Sequence, residues 1–329
     1  MEYFFAWILY IERYNKVKNI IKKYASVAGI GFAMGSANVI PGVSGGTIAF
    51  ITGIYDELID SIRQCVSPAT IKMAVKFDIR GLYNTLPWRF LLALCIGVVL
   101  SFATMAKLFV WLLENQPRLT YAFFFGLIAA SIITMAKKVE KWNIPVVISA
   151  IAGAIAAYGV ITMVPMNTPD TWWMMFICGA ICIIAMILPG LSGSFLMLIL
   201  GQYERVWQAV SDVCAFKFSL EQIVMIFWVA LGCIIGLGSF VNLLNFLMKK
   251  FKDATTAALI GFMVGTLPRI WPYIKETDFV LKKGKLVATK FKCMAPEWNI
   301  SLLWVVLIAV FGLALVFVIE KLAEKNTEN

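Results

Sequence analysis

Histidine is absent from the 329 residues, and charge is scarce: Asp, Glu, Lys and Arg together make up 15% of the chain, against 61% hydrophobic residues. Without histidine the chain lacks the side chain most often used as a general base near neutral pH and the commonest metal ligand. A soluble domain carries about 25% charged residues, so this balance excludes an ordinary soluble protein. Long polar stretches are missing too. Residues 142–169, 171–203, 222–248 and 298–319 contain no charged residue, and a bilayer crossing needs about 20 apolar residues. Cysteine is present in an odd number, seven (65, 95, 178, 182, 214, 233 and 293), mostly within apolar runs. Cys178 and Cys182 share a helix face, but neither a histidine nor a second cysteine pair accompanies them. They read as small packing residues, with no metal site and no cofactor expected.

What charge there is leans basic, with 29 Lys and Arg against 19 acids. The basic residues fall in short segments between apolar runs, as the positive-inside rule requires. The expected partner is therefore the lipid bilayer and not nucleic acid. The first 24 residues have no basic leader and no small-residue cleavage site. Their aromatic start followed by Arg13, Lys16, Lys18, Lys22 and Lys23 suggests an interfacial helix on the cytoplasmic face.

Against this oily background one phrase occurs twice: "VIPGVSGGT" at 39–47 and "ILPGLSGSF" at 187–195. An offset of 148 residues aligns Gly31 with Gly179, Pro41-Gly42 with Pro189-Gly190, Ser44-Gly45 with Ser192-Gly193, and Tyr55 with Tyr203. Further on the offset becomes 135, pairing Gly97 with Gly232 and Gly126 with Gly261. The slip falls in the polar segment 63–89, where an insertion costs little.

The fold class expected is an all-α polytopic membrane protein built as an internal repeat, 25–165 and 166–319, followed by a cytoplasmic tail at 320–329. Each half reads as a Pro-Gly-x-Ser-Gly motif region, expected to be re-entrant, plus three spans. These lie near 90–113, 120–136 and 143–164, then near 222–248, 254–271 and 300–319, about six full crossings in all. Whether each motif region is a re-entrant hairpin or two crossings, the number per half is odd. An odd number turns the second half over, giving the inverted-topology repeat of many secondary transporters. With the N-terminus inside, "KKVEK" (137–141) and "KKFKD" (249–253) also fall inside. The segment 273–298, with six lysines, then falls outside and does not fit the charge rule.

A break at membrane depth exposes backbone groups that lipid cannot satisfy, so it needs a use. Pro41 and Pro189 interrupt the helix, and Gly42 and Gly190 permit a sharp turn. Ser44 and Ser192 can cap the helix that follows, while Gly45, Gly46 and Gly193 leave first-turn amides uncovered. Thr47 and Ser194 add hydroxyls. Bare amides at a positive helix end suit an anion such as phosphate. Small residues that only let helices pack closely are the competing explanation.

Charged residues near the motifs are candidate partners for that anion. Glu204-Arg205 follows the second motif by about ten residues, roughly 15 Å along a helix, which suits a membrane surface as well as a ligand. Arg269 ends a span, and Lys107 lies within one. Arg63 and Arg118 read as ordinary boundary residues.

The Pro-Gly-x-Ser phrase resembles the loops of undecaprenyl-pyrophosphate phosphatases. Those continue with an Arg and a Glu-rich motif, whereas Gly45 and Gly193 stand here and no Glu-Gly-x-x-Glu occurs. The stretches 31–59 and 187–206 resemble more closely the PopT family of bacterial polyprenyl-phosphate transporters, over most of residues 24–319. That resemblance implies a multi-pass protein of the bacterial cytoplasmic membrane. It would return undecaprenyl phosphate, the lipid carrier of cell-wall precursors, to the inner leaflet without acting as an enzyme. It implies substrate contacts from Asn38, Pro41, Gly42, Ser44, Gly45, Gly46 and Thr47 in one half, and from Pro189, Gly190, Ser192, Gly193 and Ser194 in the other. Charge compensation would come from Arg205, Arg269, Lys107 or a coupled ion or proton. Family members often carry Asp where this chain has Asn38, so the resemblance does not extend to a carboxylate there. A transporter of a small soluble anion and, more remotely, an enzyme acting on polyprenyl phosphate would use the same loops. Oligomeric state and direction of flux are not legible in the residues.

Overall fold

The computed structural model describes residues 2–38, 44–163, 168–214, 216–217, 219–282, 285–296, 298 and 300–327. In the first half, α1 (Glu2–Asn38) precedes a short α2 (Gly45–Ile51) and the amphipathic α3 (Tyr55–Cys65). Two small helices, α4 (Pro68–Val75) and α5 (Ile79–Thr85), fill the polar segment where the repeat offset slips. Three long helices follow: α6 (Trp88–Asn115), α7 (Pro117–Lys137) and α8 (Ile144–Ile161). The second half repeats the order without the insertion. Its elements are α9 (Trp172–Ile187), α10 (Gly193–Ile199), α11 (Tyr203–Cys214), α12 (Leu220–Lys250), α13 (Lys252–Thr266) and α14 (Ile300–Thr327).

Among the described residues, five helices are long and apolar enough to cross a membrane: α6, α7, α8, α12 and α14. The sixth expected crossing, 254–271, differs. Pro268 ends α13 at Thr266, and the chain continues as a 3-10 turn over Leu267–Ile270. At 15 residues, α13 falls short of a full crossing by length alone. The expected boundary at residue 24 is not a helix boundary, because α1 runs unbroken through it. No Pro or Gly interrupts the polar start before Gly29.

The lysine-rich segment is a hairpin rather than a loop. Strands β1 (Ile274–Lys282) and β2 (Lys285–Cys293) pair antiparallel, with Ile274 opposite Cys293 and Lys282 opposite Lys285. Val, Thr, Phe and Ile alternating with Lys favour an extended chain.

Packing follows the repeat. Helix α1 lies on α6 and α9 on α12, while α7 lies on α14 and α8 on α13. Glycines bring the backbones together at each contact, and a Cβ at any of them would strike the facing main chain. Gly31 meets Leu94 and Gly97 meets Ala28, where Gly179 meets Val229 and Gly232 meets Phe176. Likewise Gly126 meets Ala309 and Gly312 meets Phe123, where Gly261 meets Ala150 and Gly153 meets Ala258. Small residues at such crossings are how helices associate in lipid, where apolar burial gives no drive.

Two segments expected on the cytoplasmic side lie together. The amides of Glu140 and Lys141 donate to Asp253 at 3.3 and 3.2 Å, and Lys252 pairs with Glu140 at 3.7 Å. On that end of α12, Arg63 donates to Asn242 at 3.3 Å and Asn245 to Asp60 at 2.8 Å, fixing α3.

Candidate functional site

Ser44 begins α2 with an extended backbone, and its hydroxyl accepts from the amide of Gly46 at 3.1 Å. Asn38, the last residue of α1, reaches across the break and accepts from the amide of Gly45 at 2.6 Å. The amide of Thr47 donates to the carbonyl of Ser44 at 2.9 Å. The first-turn amides of the first motif, expected to be uncovered, are therefore taken up by its own residues. Short polar side chains so close in sequence compete with any ligand for those amides. Ser44 and Thr47 are 1% and 0% exposed, so both side chains are closed to solvent. Pro41 and Gly42 lie outside the described residues.

The second motif is more open. Pro189 and Gly190 are buried, and Gly190 has φ +87°, a left-handed turn that a Cβ would strain. The same Cβ would come within 2.5 Å of the Thr266 hydroxyl. Helix α10 starts at Gly193 without a side-chain cap, because the Ser192 hydroxyl bonds to that of Ser194 at 2.7 Å instead. Ser192 is half-buried and Ser194 exposed.

The two motifs touch. The amide of Gly190 donates to the hydroxyl of Thr47 at 3.0 Å, and the hydroxyl of Ser44 donates to the Met186 carbonyl at 3.4 Å. The phenol of Tyr55 donates to the carbonyl of Ile187 at 3.3 Å. Residues from the two motif regions, 132 to 143 apart in the chain, thus form one cluster.

Of the charged candidates, Arg269 lies beside the second motif. Its guanidinium lies 5.5 Å from the ring of Phe195, next to Ser194, and 5.3 Å from that of Phe291 on β2. Arg205 lies elsewhere, paired with Asp170 at 2.5 Å and Glu221 at 3.1 Å. Asp170 precedes α9, whose 16 residues span about 24 Å before the motif begins. Glu204 is exposed and shares a surface cavity with Arg205. Lys107 falls within α6, and its side chain is outside the description. In the first half Lys23 pairs with Glu57 at 3.3 Å. Glu57 aligns with Arg205 at the 148-residue offset, and each is ion-paired, the two carrying opposite signs.

Sequence reasoning passed over Thr266, Tyr55 and Phe291. Tyr55 carried a signal, its identity with Tyr203 in the repeat, but only Tyr55 is buried, at 3% exposure. Thr266 and Phe291 belong to segments distant in the chain and gave none.

The sequence pattern of a family described as VCA0040-like, undecaprenyl phosphate translocase-like, matches residues 34–287 and so includes both motifs. A protein of Vibrio cholerae named polyprenyl-phosphate transporter is 41% identical over 321 residues, covering 94% of this chain and 99% of that protein. A protein of the same name from Staphylococcus aureus is 30% identical over 258 residues, covering 74% of this chain and 84% of that one. No solved structure matches. With five helices fit to cross a bilayer, this is a multi-pass membrane protein, and it belongs to the VCA0040-like, undecaprenyl phosphate translocase-like family.

Proposed function

We propose that the protein carries a polyprenyl phosphate, undecaprenyl phosphate in a bacterial membrane, from one leaflet to the other, and does not change it chemically. The observation that carries this reading is the Thr47–Gly190 contact, which joins two hydroxyl-rich breaks into one polar cluster within an apolar fold. Buried polar groups at membrane depth are costly and mark substrate paths, and the relatives named above are named as transporters.

The phosphate head is received by Ser192, Gly193 and Ser194, whose helix start is uncapped. Arg269 supplies compensating charge beside Phe195. Passage to the first motif requires Asn38 and Ser44 to release the amides of Gly45 and Gly46. The polyprenyl tail stays in lipid throughout. The halves form an inverted repeat with re-entrant motifs, a reading supported by the recurring glycine contacts and the exchanged helix pairings. Rocking of one half on the other then alternates access.

The deciding experiment uses purified protein in liposomes loaded with undecaprenyl phosphate, following how much lipid an external phosphatase can reach. Rapid access to the inner-leaflet pool, lost in S44L/S192L, supports the reading. Unaltered flux in that variant would sink the assigned site. A tail-less phosphate ester that competes fully would point to a soluble-anion carrier, and a new lipid species on thin-layer analysis to an enzyme.

A further inference from the structure

At the basic end of the molecule, α3 and α12 border an open surface cavity of about 480 Å³ that neither motif lines. It is lined by Arg63, Asn242, Asn245, Phe246, Lys249 and Lys250. Three cations and no carboxylate face this space. Among the described residues none of the three forms an ion pair. Asp60 on α3 is engaged by Asn245 at 2.8 Å. Arg63 is held in place by donating Nε to Asn242 at 3.3 Å, and Asn242 is itself anchored to the Gly238 carbonyl at 2.8 Å. Lys250 is held over the rings of Phe246 and Phe251, at 5.6 and 5.5 Å. Arg63 and Lys250 are thus positioned by neutral groups, which leaves their charge without an ion-pair partner among the described residues.

From this we infer a second binding site, for the phosphate head of a membrane lipid, between the cytoplasmic ends of α3 and α12. Phosphate suits three convergent cations. A lipid rather than free phosphate suits the flank, because Leu243 and Phe246 on the same stretch of α12 are 51% and 53% exposed and offer an apolar track for a tail. Basic pockets between helices at the cytoplasmic surface hold lipid heads by this combination. Arg63, which the sequence presents as a boundary residue, becomes a ligand because α3 lays it against α12. The site stands on its own residues and does not require the motifs to bind phosphate.

The test places a photoreactive benzoyl-phenylalanine at Phe246 in the full-length protein, held in phosphatidylcholine nanodiscs, and adds farnesyl phosphate, with farnesol as the neutral control. Labelling should favour the phosphate and weaken about fivefold for each cation removed in R63Q, K249Q and K250Q. The charge-keeping R63K/K249R/K250R should retain it. Competition by phosphatidylglycerol would identify the occupant as a resident anionic phospholipid; indifference to it would identify the carrier lipid. Both outcomes uphold a lipid-phosphate site. Equal labelling by farnesol, unchanged labelling in the glutamine variants, or equal suppression by inorganic phosphate would overturn it. Thr47→Val, run in parallel, should leave this labelling intact even if it stops transport. Loss of labelling there would show that the cavity is not a separate site.

Discussion

The amide of Gly190 donates to the hydroxyl of Thr47 at 3.0 Å, across 143 residues of chain. This bond holds the two broken segments together. Replacing Thr47 with Val keeps the shape and removes the acceptor, leaving a buried amide without a partner at a cost of about 1–3 kcal/mol. The expected result is a lower melting temperature and reduced lipid-phosphate flux in liposomes. A melting curve that matches the parent would show that the bond contributes nothing.

Gly190 is limited twice, by its φ of +87° and by Thr266. Gly190→Ala should destabilise by about 1–3 kcal/mol from backbone strain, with the contact at Thr266 adding to it. Combining it with Thr266→Ala removes the contact and leaves the strain, so the double variant should recover in part. Full recovery in thermal unfolding would place the whole cost in the contact.

Arg205 and Arg269 should behave differently. Arg205 faces two carboxylates near the start of α9, so Arg205→Gln should leave flux within about twofold of the parent, as expected for a surface pair. Arg269→Gln removes the cation beside Phe195 and should lower flux by tenfold or more, about 1.4 kcal/mol. Equal effects would separate Arg269 from the substrate path.

The matched glycines make a symmetric prediction. Gly97→Val and Gly232→Val each force apart a contact between backbones, at a cost of about 1–3 kcal/mol. Their losses of stability should agree closely, because each meets the equivalent residue of its own half. A large effect at one position and none at the other would argue against equivalent halves.

Inversion is tested by labelling from one side. In a protein with its native cysteines replaced, Lys141→Cys should react with an impermeant thiol reagent from the cytoplasmic side and Lys217→Cys from the other. Reaction of both from one side would end the inverted reading.

The residues by themselves determine that this is a membrane protein, that it repeats, and where its breaks lie. Apolar run length, the Pro-Gly-x-Ser-Gly phrase and recurring glycines are local properties, readable without partners. They also led to the family, because the residues flanking the breaks carry the resemblance. The sequence does not decide how each motif satisfies its amides. Asn38 and Ser44 close the first motif while Ser192 turns to Ser194 in the second, a difference of side-chain geometry between near-identical strings. Nor does it decide the fate of the charges. Arg205 stood as near a motif as any cation, yet folding gave it to Asp170 and Glu221, while Arg269, distant in the chain, came to Phe195. The lysine-rich 273–298 segment read as an anomaly of topology, and the pairing of its strands into a hairpin came only with the structure. Only tertiary structure brings α3 against α12 and turns Arg63, Lys249 and Lys250 into one site. Electrostatic partnership depends on distance in space, which a linear order of residues fixes only along a single helix.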